Sequence, residues 1–291
     1  IMPSLVGSEM CIRDRDSGDL MLAKGGAEWQ QGQQSHQLQL NKLTAHLAKS
    51  GKGWALSFPL SAVSTDDVPW AAGRFAVYWQ PQDTDPLQLA PHSDIRLRVS
   101  QLDLARLAPM IPLLAPLSPE LATQWQQRQP RGTIESLAVD YDLQHPLHSR
   151  FQTRWTDFSW QADRQLPAIS AVSGNGSGRL DQGRVSVSVG AQSIAMSDWF
   201  QAPLQVSAVS ANVGWDTRDG NLLLTGDHIR AEARSVDATG EFRYQQPQEG
   251  EPRLDILAGI NVSDAGDAWR YFPHNLMGKG LTDYLSGAIK G

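Results

Sequence analysis

The sequence has little cysteine, little positive charge and no long apolar run. Cys11 is the single cysteine in 291 residues, so no intrachain disulfide, cysteine zinc cluster or Cys-x-x-Cys redox pair can form. Twenty-five Lys and Arg stand against 31 Asp and Glu, for a net charge of −6 and a pI of about 5.6. Neutralising a phosphate backbone takes a concentration of cations that no stretch supplies, which argues against nucleic acid as a partner. The longest apolar stretch, Leu102 to Leu117, is interrupted by Asp103, Arg106, Pro109, Pro112 and Pro116, whereas a spanning helix needs about 20 largely apolar residues. No segment is expected to cross a membrane as a helix, and any anchor or targeting segment is expected upstream. Charged residues make up only 19% and hydrophobic residues 41%, enough apolar surface for a folded chain rather than a solvating tail.

Catalytic strings are also missing. No GxSxG, Walker-type or HExxH pattern occurs. The glycines of Gly174 to Gly178 match part of a dinucleotide fingerprint, but the residues after them read as a strand, and a phosphate cradle needs a following helix. His145 and His148 are the only histidines close together. With Pro146 between them they are expected in a solvated loop, with no acidic third ligand at a metal-like spacing, so no metal site is expected. Asp140 and Asp142 fall on one side of a strand whose other parity is apolar, and are expected on its wet face rather than as an acid/base pair. No cofactor and no catalytic residue is expected.

Period-two alternation is what the sequence does contain. Ile95, Leu97 and Val99 alternate with Arg96 and Arg98, and Leu137, Val139, Tyr141 and Leu143 with Asp140 and Asp142. Val185, Val187 and Val189 alternate with Ser186 and Ser188, and Leu254, Ile256, Ala258, Ile260 and Val262 share one parity. Such runs are half-buried strands. Further strands are expected near 54–58, 75–79, 151–160, 206–215, 222–233 and 236–244. Asp181-Gln182-Gly183, Asp219-Gly220-Asn221 and the Gly174 to Gly178 segment read as turns. No long amphipathic helix separates successive strands, so the sheet is expected to be mainly antiparallel.

Two segments break the alternation. Ser118-Pro119 before Leu121, Ala122 and Trp125 marks a helix start, predicting a short helix over 119–127 that ends before Pro130 and Gly132. A second helical pattern covers 264–288. Each follows a strand and carries a proline, Pro109 and Pro273, so a repeat of about 164 residues is one reading and chance similarity the other. Residues 1–15 show no period and resemble translated sequencing-adaptor read-through, so a non-native leader is expected there. Residues 16–132 and 133–291 are expected to be two sheet segments of one body. Tryptophans recur among the strands at Trp54, Trp79, Trp155, Trp160 and Trp215. They fit either the core of a β-sandwich or a long sheet curled into an open hydrophobic groove.

The string from Trp269-Arg270-Tyr271-Phe272-Pro273 through Leu276-Met277, Leu281, Tyr284-Leu285 and Ala288-Ile289 to Gly291 resembles the YhdP family of AsmA-like envelope proteins of Gram-negative bacteria. Asp103-Leu104-Ala105-Arg106-Leu107, Pro130-Arg131-Gly132, Ala202-Pro203-Leu204 and Val213-Gly214-Trp215 are similar to the same family. The resemblance implies an internal fragment of a periplasmic, repeating β-groove protein that carries phospholipid between membranes. It further implies an inner-membrane anchor outside this sequence and possible envelope protein partners. It supplies no functional residues, so the groove is assigned by strand parity to Leu137, Val139, Tyr141, Val185, Val187, Val189, Leu222, Leu224, Leu254 and Ile256. Phospholipid acyl chains are the expected occupants, with head groups left in water. A β-rich adhesin or scaffold is the second function class and a polysaccharide-active enzyme the third.

Overall fold

The computed structural model describes residues 2–14, 16–31, 33–82, 85–89, 94–114, 119–162, 168–194, 200, 202–264, 271, 277–278, 280, 283–284 and 287. Most of them are in strands. In chain order these are β1 (Met2–Asp14), β2 (Ser17–Gln31), β3 (Gln34–Ser50), β4 (Gly53–Pro59), β5 (Val63–Thr65), β6 (Val68–Pro69), β7 (Arg74–Trp79), β8 (Pro81–Gln82), β9 (Asp85–Leu89), β10 (Asp94–Asp103), β11 (Arg131–Asp142) and β12 (Arg150–Trp160). They continue with β13 (Ile169–Arg179), β14 (Gln182–Val189), β15 (Gln192–Ile194), β16 (Leu204–Asp216), β17 (Leu222–Ala233), β18 (Val236–Gln246) and β19 (Arg253–Val262). Seventeen of them form one open sheet and β8 pairs with β9 apart from it. Every register described is antiparallel, as expected for a chain whose consecutive strands are joined without crossover helices. The chain divides into two units, residues 1–156 with 177–180 and residues 157–176 with 181–291.

In the first unit the ladder runs β1 to β2 to β3 to β4 to β7 to β10 to β11. Directly opposed residues share a face, so the rungs sort the side chains. Leu47, Leu56, Val77, Leu97 and Val139 form one apolar rung across five strands, flanked by Phe58, Phe75, Val99 and Leu137. The neighbouring residues His46, Ser57, Ala76, Arg98 and Ala138 make the opposite face. Pleating converts a period of two into an apolar side and a polar side.

Two helices cover part of this unit. Asp103 caps α1 (Leu104–Leu107), its carboxylate accepting from the Ala105 amide at 2.9 Å. A 3-10 turn follows over Ala108–Leu114, and the Trp29 indole donates to the Pro109 carbonyl at 3.0 Å. The expected helix over 119–127 is α2 (Pro119–Arg128), with Pro119 at its first position. It stops where Gln129 takes a positive φ of 43° and Pro130 follows. Leu104, Ile111 and Ala122 from this segment are buried, as are Leu22, Trp29, Leu60, Val63 and Val99. The sealed core of the described residues lies mainly here.

In the second unit β14, β16, β17, β18 and β19 pair in succession, with β15 on β16. Two bulges interrupt it. In β17 two residues, Asp227 and His228, stand against Glu241 alone, because the register changes between Gly226 and Ile229. His228 adopts a positive φ of 51°, a conformation in which His is enriched among non-glycine residues. A second register change falls between Val206 and Ala208 in β16. Each extra residue restores the apolar parity. Leu222 and Leu224 are followed on the same face by Ile229, Ala231 and Ala233, and Leu204 and Val206 by Val209, Ala211 and Val213.

Three expectations need correction or restriction. Residues 1–15 were expected to be a non-native leader and were left out of the strand pattern; the backbone of Met2–Asp14 pairs with β2 from Met2 opposite Glu28 to Asp14 opposite Ser17. A ladder is made by backbone groups and does not require a side-chain period. Gly174 to Gly178 are not a turn but lie inside β13, where Gly176 is buried; glycine within a strand often marks a site that other atoms approach closely. By contrast, Gly220 does hold a turn, at a φ of 74°. Most of the helical pattern expected over 264–288 lies outside the described residues.

Candidate functional site

In the first unit the apolar face gathers three of the expected residues. Val139 stands opposite Leu97, Leu137 opposite Val99 and Tyr141 opposite Ile95. Leu137 and Val139 are half-buried and Tyr141 is exposed. Trp54 and Trp79 are paired on the same face, and Phe58 stacks on Phe75 with ring centroids 4.9 Å apart.

The other seven lie on one face of the second unit. Val185, Val187 and Val189 oppose Val213, Ala211 and Val209. Leu224 sits between Trp215 and Tyr244, and Tyr244 pairs with Leu254. Phe242 pairs with Ile256, while Leu222 shares the parity of Leu224. Among the described residues this unit buries only Val172 and Val236 as apolar core. Its apolar face is therefore not sealed: Leu254 is 51% and Ile256 62% exposed. A cohesive core would hide such side chains, since each is worth about 1.5–3 kcal/mol when fully removed from water.

At one end of this face lies an apolar pocket of about 190 Å³, lined by Phe200, Leu204, Val206, Val236, Ile260 and Tyr271 among others. None of these six is among the expected groove residues. The signal was present in the common parity of Leu254 through Val262. For Val206 and Ala233 it was hidden by the bulges, which shift the register by one residue.

The opposite face of the second unit is polar and internally paired. Arg184 bridges to Asp227, whose carboxylate also accepts from Asn212 at 3.0 Å and lies 2.7 Å from the His228 ring. The His228 contact, then the Asn212 donor and the Arg184 charge, hold the Asp227 carboxyl below the usual carboxylate range. In the first unit Asp140 bonds Arg98 at 2.6 Å on the polar face. Asp142 spends one carboxylate oxygen on the Gln144 and His145 amides, each at 2.9 Å. The two carboxylates are engaged separately, one in an ion pair and one in a turn.

Among the described residues the geometry offers, in each unit, one apolar face, incompletely covered, backed by a polar one. The YhdP protein family matches residues 10–291. The chain belongs to that family. A curated relative, the intermembrane phospholipid transporter YhdP of Escherichia coli (strain K12), is 40% identical over 279 residues, which cover 96% of this chain. The chain spans 22% of that relative's length. No solved structure matches it. No helix among the described residues is long and apolar enough to cross a membrane.

Proposed function

We propose that this chain is a segment of an intermembrane phospholipid carrier of the bacterial envelope, and that its apolar faces shield acyl chains while head groups remain in water. The observation that carries the reading is the half-exposed apolar parity of each unit, with Leu137, Val139 and Tyr141 in one and Val185, Val187, Val189, Leu222, Leu224, Leu254 and Ile256 in the other. Family membership and the name of the Escherichia coli relative support it.

Each buried CH₂ contributes about 0.8 kcal/mol, so an acyl chain gains several kcal/mol by lying along such a face. Apolar side chains continue from rung to rung, so neighbouring positions along the face each offer burial. Movement along the face then costs little net free energy and calls for no nucleotide site and no catalytic step in this segment. In this reading the sheet is curved into a groove that faces the periplasm, and a segment outside the chain anchors it to the inner membrane.

The test is mass spectrometry of small molecules extracted from the purified chain. Phospholipid at a reproducible ratio to protein supports the reading. Lipid-free protein that also takes up none from phospholipid vesicles refutes it and returns the chain to the scaffold class.

A further inference from the structure

The connection between β11 and β12 brings together three residues that carry no role in the apolar faces. Asp142 ends β11, Pro146–His148 form a 3-10 turn, and Ser149 precedes β12. The turn is pinned at its base. Ser149 is only 2% exposed, its hydroxyl accepts from the Asp142 amide at 3.0 Å, and its carbonyl accepts from the Leu180 amide at 3.3 Å. Within it the His148 amide bonds the His145 carbonyl at 2.8 Å. The two imidazoles consequently sit on one side, stacked with centroids 5.4 Å apart.

The carboxylate joins them. Its Oδ1 accepts from the Gln144 and His145 amides, which leaves Oδ2 turned to the His145 ring, 3.7 Å from Nδ1. That distance is too long for a hydrogen bond. It is close to the separation of two ligand atoms on a tetrahedral ion with bonds of 2.0–2.1 Å, which is about 3.3 Å. One ligand atom from each of Asp142, His145 and His148 falls within 4.8 Å of the others, so small side-chain rotations close the set. Pro146 opens the 3-10 turn that brings His148 within reach of Asp142.

We propose that Asp142, His145 and His148 form a three-ligand site for a divalent transition-metal ion of the zinc class, with water in the fourth position. Imidazole nitrogen with one carboxylate suits zinc and its neighbours rather than magnesium or calcium, which take oxygen ligands. All three ligands come from one seven-residue span, so the ion clips the β11–β12 connection.

The experiment is calorimetric titration of the tag-free chain with zinc chloride near pH 7, repeated for His148→Gln and Asp142→Asn. No hydrogen bond described here depends on the His148 side chain, so that variant keeps the turn. The wild type is expected to take up one equivalent saturably. Loss of even an outer-shell partner costs 10–100-fold in affinity, so His148→Gln is expected to bind at least about tenfold more weakly. Absence of one-equivalent binding, or unchanged affinity in His148→Gln, overturns the proposal. So does a titration that favours magnesium over zinc.

Discussion

Ile256 and Leu257 are adjacent on β19, are 62% and 67% exposed, and point to opposite faces of the sheet. Ile256 is opposite Phe242 on the apolar face, Leu257 opposite Glu241 on the polar face. Replacing each by Asp therefore separates the face from the exposure. Fully burying such a side chain is worth about 1.5–3 kcal/mol, so with about a third of the surface buried in each case the substitution costs the fold about 1 kcal/mol or less. An acyl chain lying over Ile256 covers the remaining surface, worth about 1–2 kcal/mol, which is a factor of about 5–30 in occupancy. Ile256→Asp should lower lipid uptake by that factor with a nearly unchanged denaturation midpoint, while Leu257→Asp leaves uptake as it is. Native mass spectrometry of delipidated protein after incubation with phosphatidylethanolamine vesicles reads the first, and urea denaturation the second. Equal loss in both variants, or none in either, would refute the assignment of the apolar face to lipid. An Ile256→Asp protein destabilised by more than about 3 kcal/mol would instead mark the position as sealed core.

Two further outcomes follow from the fold itself. Leu60, 2% exposed, is in the sealed part of the first unit, so Leu60→Ala should cost about 2–5 kcal/mol in urea unfolding without altering lipid uptake by the second unit's face. Asp227 has a folded-state pKa held below its ordinary value by His228, Asn212 and Arg184. Its contribution is therefore present above the unfolded value of about 4 and is lost as pH falls through the folded value. Asp227→Asn should be less stable than the parent near pH 7, and the gap should narrow as pH falls below about 4, measured as denaturation midpoints.

How much of this could be read beforehand differs from strand to strand. Ile95, Leu97 and Val99 announce β10 because their alternation survives intact into the register with β7 and β11. Val185 through Val189 and Leu254 through Val262 do the same for β14 and β19. The Ser118-Pro119 start located α2 to within a residue at its end. Parity was lost where the strands bulge, and with it Val206 and Ala233, which line the apolar pocket. The Asp142, His145 and His148 cluster was missed because the relevant spacing runs through a turn built by the Asp142 carboxylate itself. The exposure of Leu254 and Ile256 depends on what lies above the sheet, a tertiary property that alternation does not encode.

The bulge at His228 also bears on how such a strand changes length. A pleated strand is read two residues at a time, so one inserted residue would ordinarily put every later side chain out of frame. In β17 the extra residue is absorbed at a single left-handed position, and Ile229, Ala231 and Ala233 return to the frame set by Leu222 and Leu224. Removing His228 leaves an unbroken alternation with the same residues on the same side. The strand is thus indifferent, as far as its two faces are concerned, to whether it carries twelve residues or one fewer. Single-residue gains and losses are a form of change that these faces can survive, provided they fall at the bulge.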